Sequence, residues 1–298
     1  MNLLSPKYIK ELLGKQGTFP LKRLGQNFLV NKGVAEKVIK AADLKPDDIV
    51  LEIGPGIGGL TQELAKRVGK VIAVEKDQNL AKILNEELRI KNIKNVEIIQ
   101  GDILKIENCK LIENCKATLR GVRSASRKIG NYKVVANLPY YITSPVIRMF
   151  LEAKNPPETM VLIVQKEVAQ RICASPPDMN LLAVSVQFYA EPKIISYISK
   201  NSFWPSPKVD AAIIKIVPRC SAYGSALFRE QFFRIVKAGF SHPRKQLANN
   251  LTKGLELNKE KVISWLLKNK IKPEQRAETL TIKNWINLVK LIDIVCCF

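Results

Sequence analysis

Five short runs of β-branched and aliphatic residues, Ile49 to Ile53, Val71 to Val74, Val96 to Ile99, Val134 to Ala136 and Met160 to Val164, recur between longer segments of helical pattern. Strands that alternate with helices build a parallel sheet covered on both faces, because each parallel connection needs a crossover long enough to hold a helix. Two further runs, Ile194 to Ile198 and Ala211 to Val217, are separated only by the Pro-containing connector Lys200 to Asp210. A hairpin is the economical reading, and it inserts the last strand antiparallel. The expectation is an α/β fold with a seven-stranded, mostly parallel sheet. After Pro218 the pattern changes to four helix-like segments, about 226–239, 243–253, 259–268 and 281–295, with no strand among them. These predict a small C-terminal helical domain, with boundaries at residues 1–219 and 220–298.

Charge narrows the partner. With 48 Lys plus Arg against 27 Asp plus Glu, the chain carries +21, and 46% apolar residues over 298 positions suffice for a sizeable core. Residues 1–219 hold 34 cations and 21 acids, and residues 220–298 hold 14 and 6, so both parts are basic. A polyanion is the expected partner, and nucleic acid is favoured over an acidic membrane because no basic amphipathic helix or lipidation motif is evident. From Lys105 to Lys133 eight cations face two acids, and this stretch reads as a basic insertion that touches phosphates. No h-region marks a signal peptide and no run of about 18 apolar residues marks a membrane span, so a cytoplasmic, membrane-free protein is expected, working as a monomer. The six cysteines, at 109, 115, 173, 220, 296 and 297, form no CxxC pair, and His242 is the single histidine. That pattern offers no metal site and no Ser-His-Asp or Cys-His catalysis.

Val50-Leu-Glu-Ile-Gly-Pro-Gly-Ile-Gly-Gly-Leu60 reads as a strand, a glycine turn and a helix start. Gly54, Gly56 and Gly59 satisfy GxGxxG, which lets the backbone approach a ligand. Glu75 ends the next strand, 21 residues after Gly54, where a carboxylate can accept both hydroxyls of a ribose. This much fits NAD as well as S-adenosylmethionine, and a tight turn with a surface glutamate is the plainer alternative. The third strand ends in Gln100-Gly-Asp102, whose carboxylate can receive an adenine amine or simply close a turn.

The fourth strand runs into Asn137-Leu-Pro-Tyr140. The exocyclic amine of adenine is a poor nucleophile because its lone pair is delocalised into the ring. An asparagine side-chain oxygen and the following backbone carbonyl, that of Leu138, can accept its two hydrogens and favour a pyramidal nitrogen. Pro139 fixes the turn, and Tyr140 offers a ring on which an extruded base can stack.

With these residues the chain resembles the small-subunit ribosomal RNA adenine dimethyltransferases. The motifs that carry the resemblance are Leu24-Gly-Gln-Asn-Phe-Leu29, Glu52-Ile-Gly-Pro-Gly56, Asn137-Leu-Pro-Tyr140, Gln165-Lys-Glu-Val168, Phe203-Trp-Pro-Ser-Pro-Lys-Val-Asp210, Arg244-Lys-Gln-Leu247 and Arg276-Ala-Glu-Thr-Leu280. The resemblance implies a Rossmann-like methyltransferase domain with a helical RNA-binding domain, S-adenosylmethionine as cofactor, and the small ribosomal subunit and its rRNA as partner. The implied reaction dimethylates two adjacent adenines near the 3′ end of that rRNA. It also implies that Asn27 and Leu29 line the methionine end of the cofactor, that Gly54 and Gly56 form its loop, and that Glu75 takes the ribose and Asp102 the adenine. Asn137, Leu138, Pro139 and Tyr140 would form the transfer centre, with Phe203 facing Tyr140 across the target base. By spacing alone Phe203 reads as a hairpin core aromatic. The erythromycin-resistance methyltransferases, which modify one large-subunit adenine, share the cofactor motifs, and the Phe203 to Asp210 connector favours the small-subunit class. A non-catalytic assembly factor and an NAD dehydrogenase are the remaining alternatives.

Overall fold

The computed structural model describes residues 3–106, 132–219 and 225–292. The basic insertion between Lys105 and Lys133, apart from its two ends, lies outside the described residues, as do Cys109, Cys115, Cys220, Cys296 and Cys297. Contacts divide the chain into two compact units, Met1–Ala169 with Lys193–Pro218, and Gln170–Pro192 with Arg219–Phe298.

In chain order the strands are β1 (Phe28–Leu29), β2 (Ile49–Ile53), β3 (Lys70–Glu75), β4 (Val96–Gln100), β5 (Lys133–Asn137), β6 (Thr159–Gln165), β7 (Ala190–Ile198), β8 (Phe203–Trp204) and β9 (Ala211–Pro218). Seven of them form one sheet in the order β4-β3-β2-β5-β6-β9-β7. The first five in that order run parallel, and β9 enters antiparallel against β6, pairing Leu162 with Ile214. Val50, Val71, Val134, Val161 and Ile213 are fully buried. A strand covered on both faces cannot alternate apolar with polar residues, and this is why these segments are continuous aliphatic runs in the sequence.

The chain starts at β2 in the centre, moves outward through β3 and β4, and returns to β5 on the other side of β2. Strand order therefore reverses between β2 and β5. Such a switch point leaves a crevice outside the carboxyl ends of the strands, where loops diverge to opposite faces. Gly54 follows β2 and Asn137 ends β5, so the two most informative motifs meet there.

A second, two-stranded sheet was not foreseen: β1 pairs antiparallel with β8, Phe28 opposite Trp204 and Leu29 opposite Phe203. Two-residue strands carry no periodicity, and only the long-range pairing defines them. The Phe28 and Trp204 rings stack with centroids 6.3 Å apart.

The second unit is helical, with helices Leu181–Tyr189, Ala226–Gly239, Leu247–Leu255, Lys259–Lys268 and Ile282–Lys290. The sequence places the domain boundary at 219/220, whereas contacts group Gln170–Pro192 with this unit. Aromatic packing is the reason, since Phe188 stacks on Phe232 at 4.0 Å and Tyr189 on Phe233 at 6.0 Å. Asn180 starts that helix by accepting from Ala183 N at 3.0 Å. The helix expected from residue 243 begins at Leu247, because Asn250 Nδ2 donates to the carbonyls of Gly239 and His242 and ties the preceding residues into a turn. Trp265 and Trp285 fill the core of this unit. Among the described residues no helix is long and apolar enough to cross a membrane.

At its amino end β5 is anchored by an ion pair, Lys133 Nζ to Asp48 Oδ2 at 2.8 Å, with side chains 7% and 11% exposed. Lys133 also donates to the Asp43 carbonyl. Removing the carboxylate leaves a buried ammonium without its counterion, which costs about 3 to 5 kcal/mol. Asp48→Ala should lower unfolding free energy by that order in urea titrations, and Asp48→Leu combined with Lys133→Met should recover much of the loss.

Candidate active site

One pocket of about 1070 Å³, counted with its open mouth, occupies the crevice in the sheet unit. Asn27, Leu29, Gly54, Gly56, Glu75, Asp102, Asn137, Leu138, Pro139, Tyr140 and Phe203 all line it. Residues chosen from motifs spread over 177 positions of sequence thus share one cavity.

The glycine loop is pinned from beneath. Gly54 takes φ +67, a left-handed conformation that a side chain disfavours, and its N–H donates to Val74 O at 2.9 Å. A Cβ on Gly54 would lie 3.8 Å from Pro139 Cδ and 3.9 Å from the Asn137 carbonyl, so this loop rests against the turn that ends β5. Gly56 N donates to Glu75 Oε2 and Asp77 N to Glu75 Oε1, each at 2.9 Å. Two backbone donors fix the carboxylate's orientation while each oxygen keeps a second lone pair for a ligand hydroxyl. Burial pushes the Glu75 carboxyl up, and the N–H groups of Asp77 and Gly56 pull against that shift.

Asp102 sits one strand over, as Gly101 N donates to Glu75 O at 2.8 Å. Its carboxylate accepts from Leu104 N at 3.1 Å and pairs with Lys76 Nζ at 2.8 Å. The hydrogen-bonded lysine holds this carboxyl below its ordinary range, so it is an ionised acceptor at the pocket edge.

Asn137 is oriented by the N-terminal segment, its Nδ2 donating to the Asn27 carbonyl at 2.9 Å. One of the two N–H groups is used there, which turns Nδ2 toward Asn27 and leaves Oδ1 as the acceptor end. Leu138 N donates to Ile163 O at 3.2 Å, and Pro139 follows at φ −54. Tyr140 opens a 3-10 turn, Tyr140–Ile142, and is half-buried. Burial, then the charge of Asp210, raises its hydroxyl pKa, so it stays un-ionised. Phe203 is 4% exposed and belongs to the apolar cluster with Leu29 and Ile213, yet it borders the pocket.

Three residues here have no role in the sequence reading, although Gln26 and Glu52 lie in its motifs. Gln26 joins Asp77 Oδ2 through Nε2 at 2.8 Å and accepts from Leu21 N at 2.7 Å, tying the N-terminal motif to the end of β3. Lys76 supplies the cation on Asp102. Glu52 lines the pocket at 1% exposure, and its Oε2 has no hydrogen-bond partner among the described residues. Burial, aided by the charge of Glu75, pushes its pKa up to about 8. A charged residue inside an otherwise aliphatic strand was the available signal.

This sheet order, with its antiparallel insertion, glycine loop and strand-end acid, is the arrangement of Rossmann-type methyltransferases. The sequence profile of the family described as ribosomal RNA adenine dimethylase matches residues 21–293. A protein of Dehalococcoides mccartyi named ribosomal RNA small subunit methyltransferase A is 44% identical over 264 residues, 89% of this chain and 85% of its own. A protein of the same name from Geobacillus kaustophilus is 38% identical over 293 residues, 96% of each chain. Among solved structures, a dimethyladenosine transferase from Plasmodium falciparum is 25% identical, with TM-score 0.70 over 90% of this chain and 98% of that one. The 23S rRNA methyltransferase ErmE is 26% identical, with TM-score 0.70 over 90% of this chain and all of its own. The chain belongs to the ribosomal RNA adenine dimethylase family. It is an enzyme that uses S-adenosylmethionine.

The Glu52 shift has a thermodynamic consequence. Between the ordinary 4.5 and about 8 the folded chain holds a proton on Glu52 that the unfolded chain has released, so this group makes stability fall as pH rises through that window. The slope is at most about 1.4 kcal/mol per pH unit. Glu52→Gln should remove this contribution: urea midpoints measured from pH 5 to 8 should decline less for the variant than for the parent.

Proposed function

We propose that the chain transfers methyl groups from S-adenosylmethionine to the exocyclic amines of two adjacent adenines near the 3′ end of small-subunit rRNA, giving dimethyladenosines during subunit assembly. The observation that carries this reading is the amide of Asn137, held by Asn27 beside the glycine loop with its oxygen left as acceptor. Relatives at 38% and 44% identity bear a small-subunit name, whereas the large-subunit enzyme ErmE is 26% identical. We take the chain to act as a monomer, and an rRNA substrate supports action in the cytoplasm.

The donor set fits the cofactor. Glu75 presents an oriented carboxylate to a ribose diol, Asp102 an ionised acceptor to an adenine amine, and Leu80 and Ile103 apolar surface near them. In this reading Gly54 and Gly56 form the loop that the cofactor approaches, and Asn27 and Leu29 border its methionine end. When bound, S-adenosylmethionine supplies an electrophilic methyl on a sulfonium.

The chain's own residues do the positioning. Asn137 Oδ1 and the Leu138 carbonyl accept the two hydrogens of the target amine and turn its lone pair toward the methyl. Pro139 fixes the direction of that carbonyl. Tyr140 and Phe203 hold the faces of the extruded base. The methylated nitrogen is cationic and acidic, so water takes its proton and no side-chain base is required. Basic residues of both units grip rRNA phosphates, which fixes register without reading sequence.

Asn137→Ala should lower single-turnover transfer by about two to three orders of magnitude, the scale of removing one oriented hydrogen-bonding group from an active site. Binding to small subunits, spread over many Lys and Arg contacts, should barely change. Near-parental turnover, or parallel loss of binding, would contradict the assignment. For Glu75→Ala, calorimetry should show cofactor affinity reduced at least tenfold, the loss of a charge-assisted contact of about 1.5 to 3 kcal/mol.

A further inference from the structure

The mouth of the pocket carries an aromatic ring that the transfer mechanism leaves unused. Tyr141 borders the pocket and is 52% exposed, one residue beyond the half-buried Tyr140 in the same 3-10 turn. The 3-10 turn Lys22–Leu24 closes against it. Gly25 takes φ +62, and a Cβ there would stand 3.7 Å from Tyr141 Cδ1 and 3.4 Å from Pro139 Cβ. One flank of the ring is therefore backed by protein while much of its surface stays open to solvent.

Cations lie on the segments that border this part of the pocket. Lys22 and Arg23 on that turn are exposed, as is Lys76. Lys76 and Asp102 line the pocket together with Tyr141, and the charge on Lys76 is affected first by Asp102 and then by Tyr141 and Arg23. Lys76 spends one N–H on Asp102 and has two left.

A base drawn into the pocket leaves its neighbour without a stacking partner on one side, and that unstacking is unfavourable. An aromatic ring just outside the pocket restores that stack for any base, because every base offers a π-face. We propose that Tyr141 is a stacking platform for the nucleotide next to the adenine being methylated, and that Arg23 and Lys76 hold the phosphate between the two. This rests on the rRNA substrate proposed above. It assigns a place to the second of two adjacent adenines while the first reacts, so that the strand can shift by one nucleotide without leaving the rim.

The test is single-turnover methyl transfer to small subunits lacking the modification, with product mapping and cofactor calorimetry alongside. Tyr141→Ala should lower transfer roughly tenfold at unchanged cofactor affinity, and Tyr141→Phe should recover most of the rate. On subunits reconstituted with rRNA that is abasic beside the target, parent and Tyr141→Ala should converge, because the platform then has nothing to stack. Parental rates for Tyr141→Ala, equal losses for the Phe variant, or a loss that persists on the abasic substrate would overturn the platform. Absence of transfer by the parent to any small-subunit adenine would instead overturn the substrate reading, and the platform with it.

Discussion

The hydrogen bond from Asn137 Nδ2 to the Asn27 carbonyl decides what the pocket can do. A primary amide can present either a donor or an acceptor to a ligand, and only the acceptor end can take a hydrogen from an adenine amine. Turning Nδ2 toward Asn27, with one of its two N–H groups bonded there, orients the amide before any substrate arrives. Both partners are held from elsewhere. Asn137 terminates β5, whose opposite end is fixed by the buried Lys133–Asp48 pair. Asn27 lies between Gln26, bonded to Asp77, and β1, paired with β8. The orientation of one amide thus rests on contacts from four separate stretches of chain.

Charge is arranged in depth. Glu75 and Asp102 bring carboxyl groups into the crevice of a chain whose net charge is +21, while Lys76 stands exposed at its edge. A sulfonium-bearing cofactor is favoured inside and a polyanionic strand at the rim, so two ligands of opposite character are directed to adjacent places. Burying Glu52 and Glu75 has a cost, visible as the upward shift of both carboxyls. The backbone donors on Glu75 offset part of that cost, and Glu52 has no such backbone donors.

Much of this was legible in the amino-acid order because it depends on local pattern. All seven aliphatic runs are strands of the sheet, and in β2, β3, β5, β6 and β9 burial on both faces demands continuous apolar residues. Gly54, Glu75, Asp102 and Asn137 line one pocket because parallel strands bring their carboxyl ends to one edge, and the β1–β8 ladder adds Leu29 and Phe203 to it. What stayed hidden depends on pairing across long separations. The β1–β8 ladder joins residues about 175 apart, and the Gln26–Asp77 and Lys76–Asp102 contacts pair side chains whose sequence neighbours give no hint of a partner. Similarly, Gln170–Pro192 looks like a crossover segment, and only Phe188 stacking on Phe232 shows where it belongs.

The central claim is that this pocket dimethylates paired adenines of the small subunit. Small and large ribosomal subunits from cells lacking the modification, incubated with the enzyme and methyl-labelled S-adenosylmethionine and mapped by mass spectrometry of nuclease fragments, test it most directly. The account predicts two methyl groups on each of two neighbouring adenines near the 3′ end of the small-subunit rRNA and no label on the large subunit. Label confined to a single large-subunit adenine, or none on either, would contradict it.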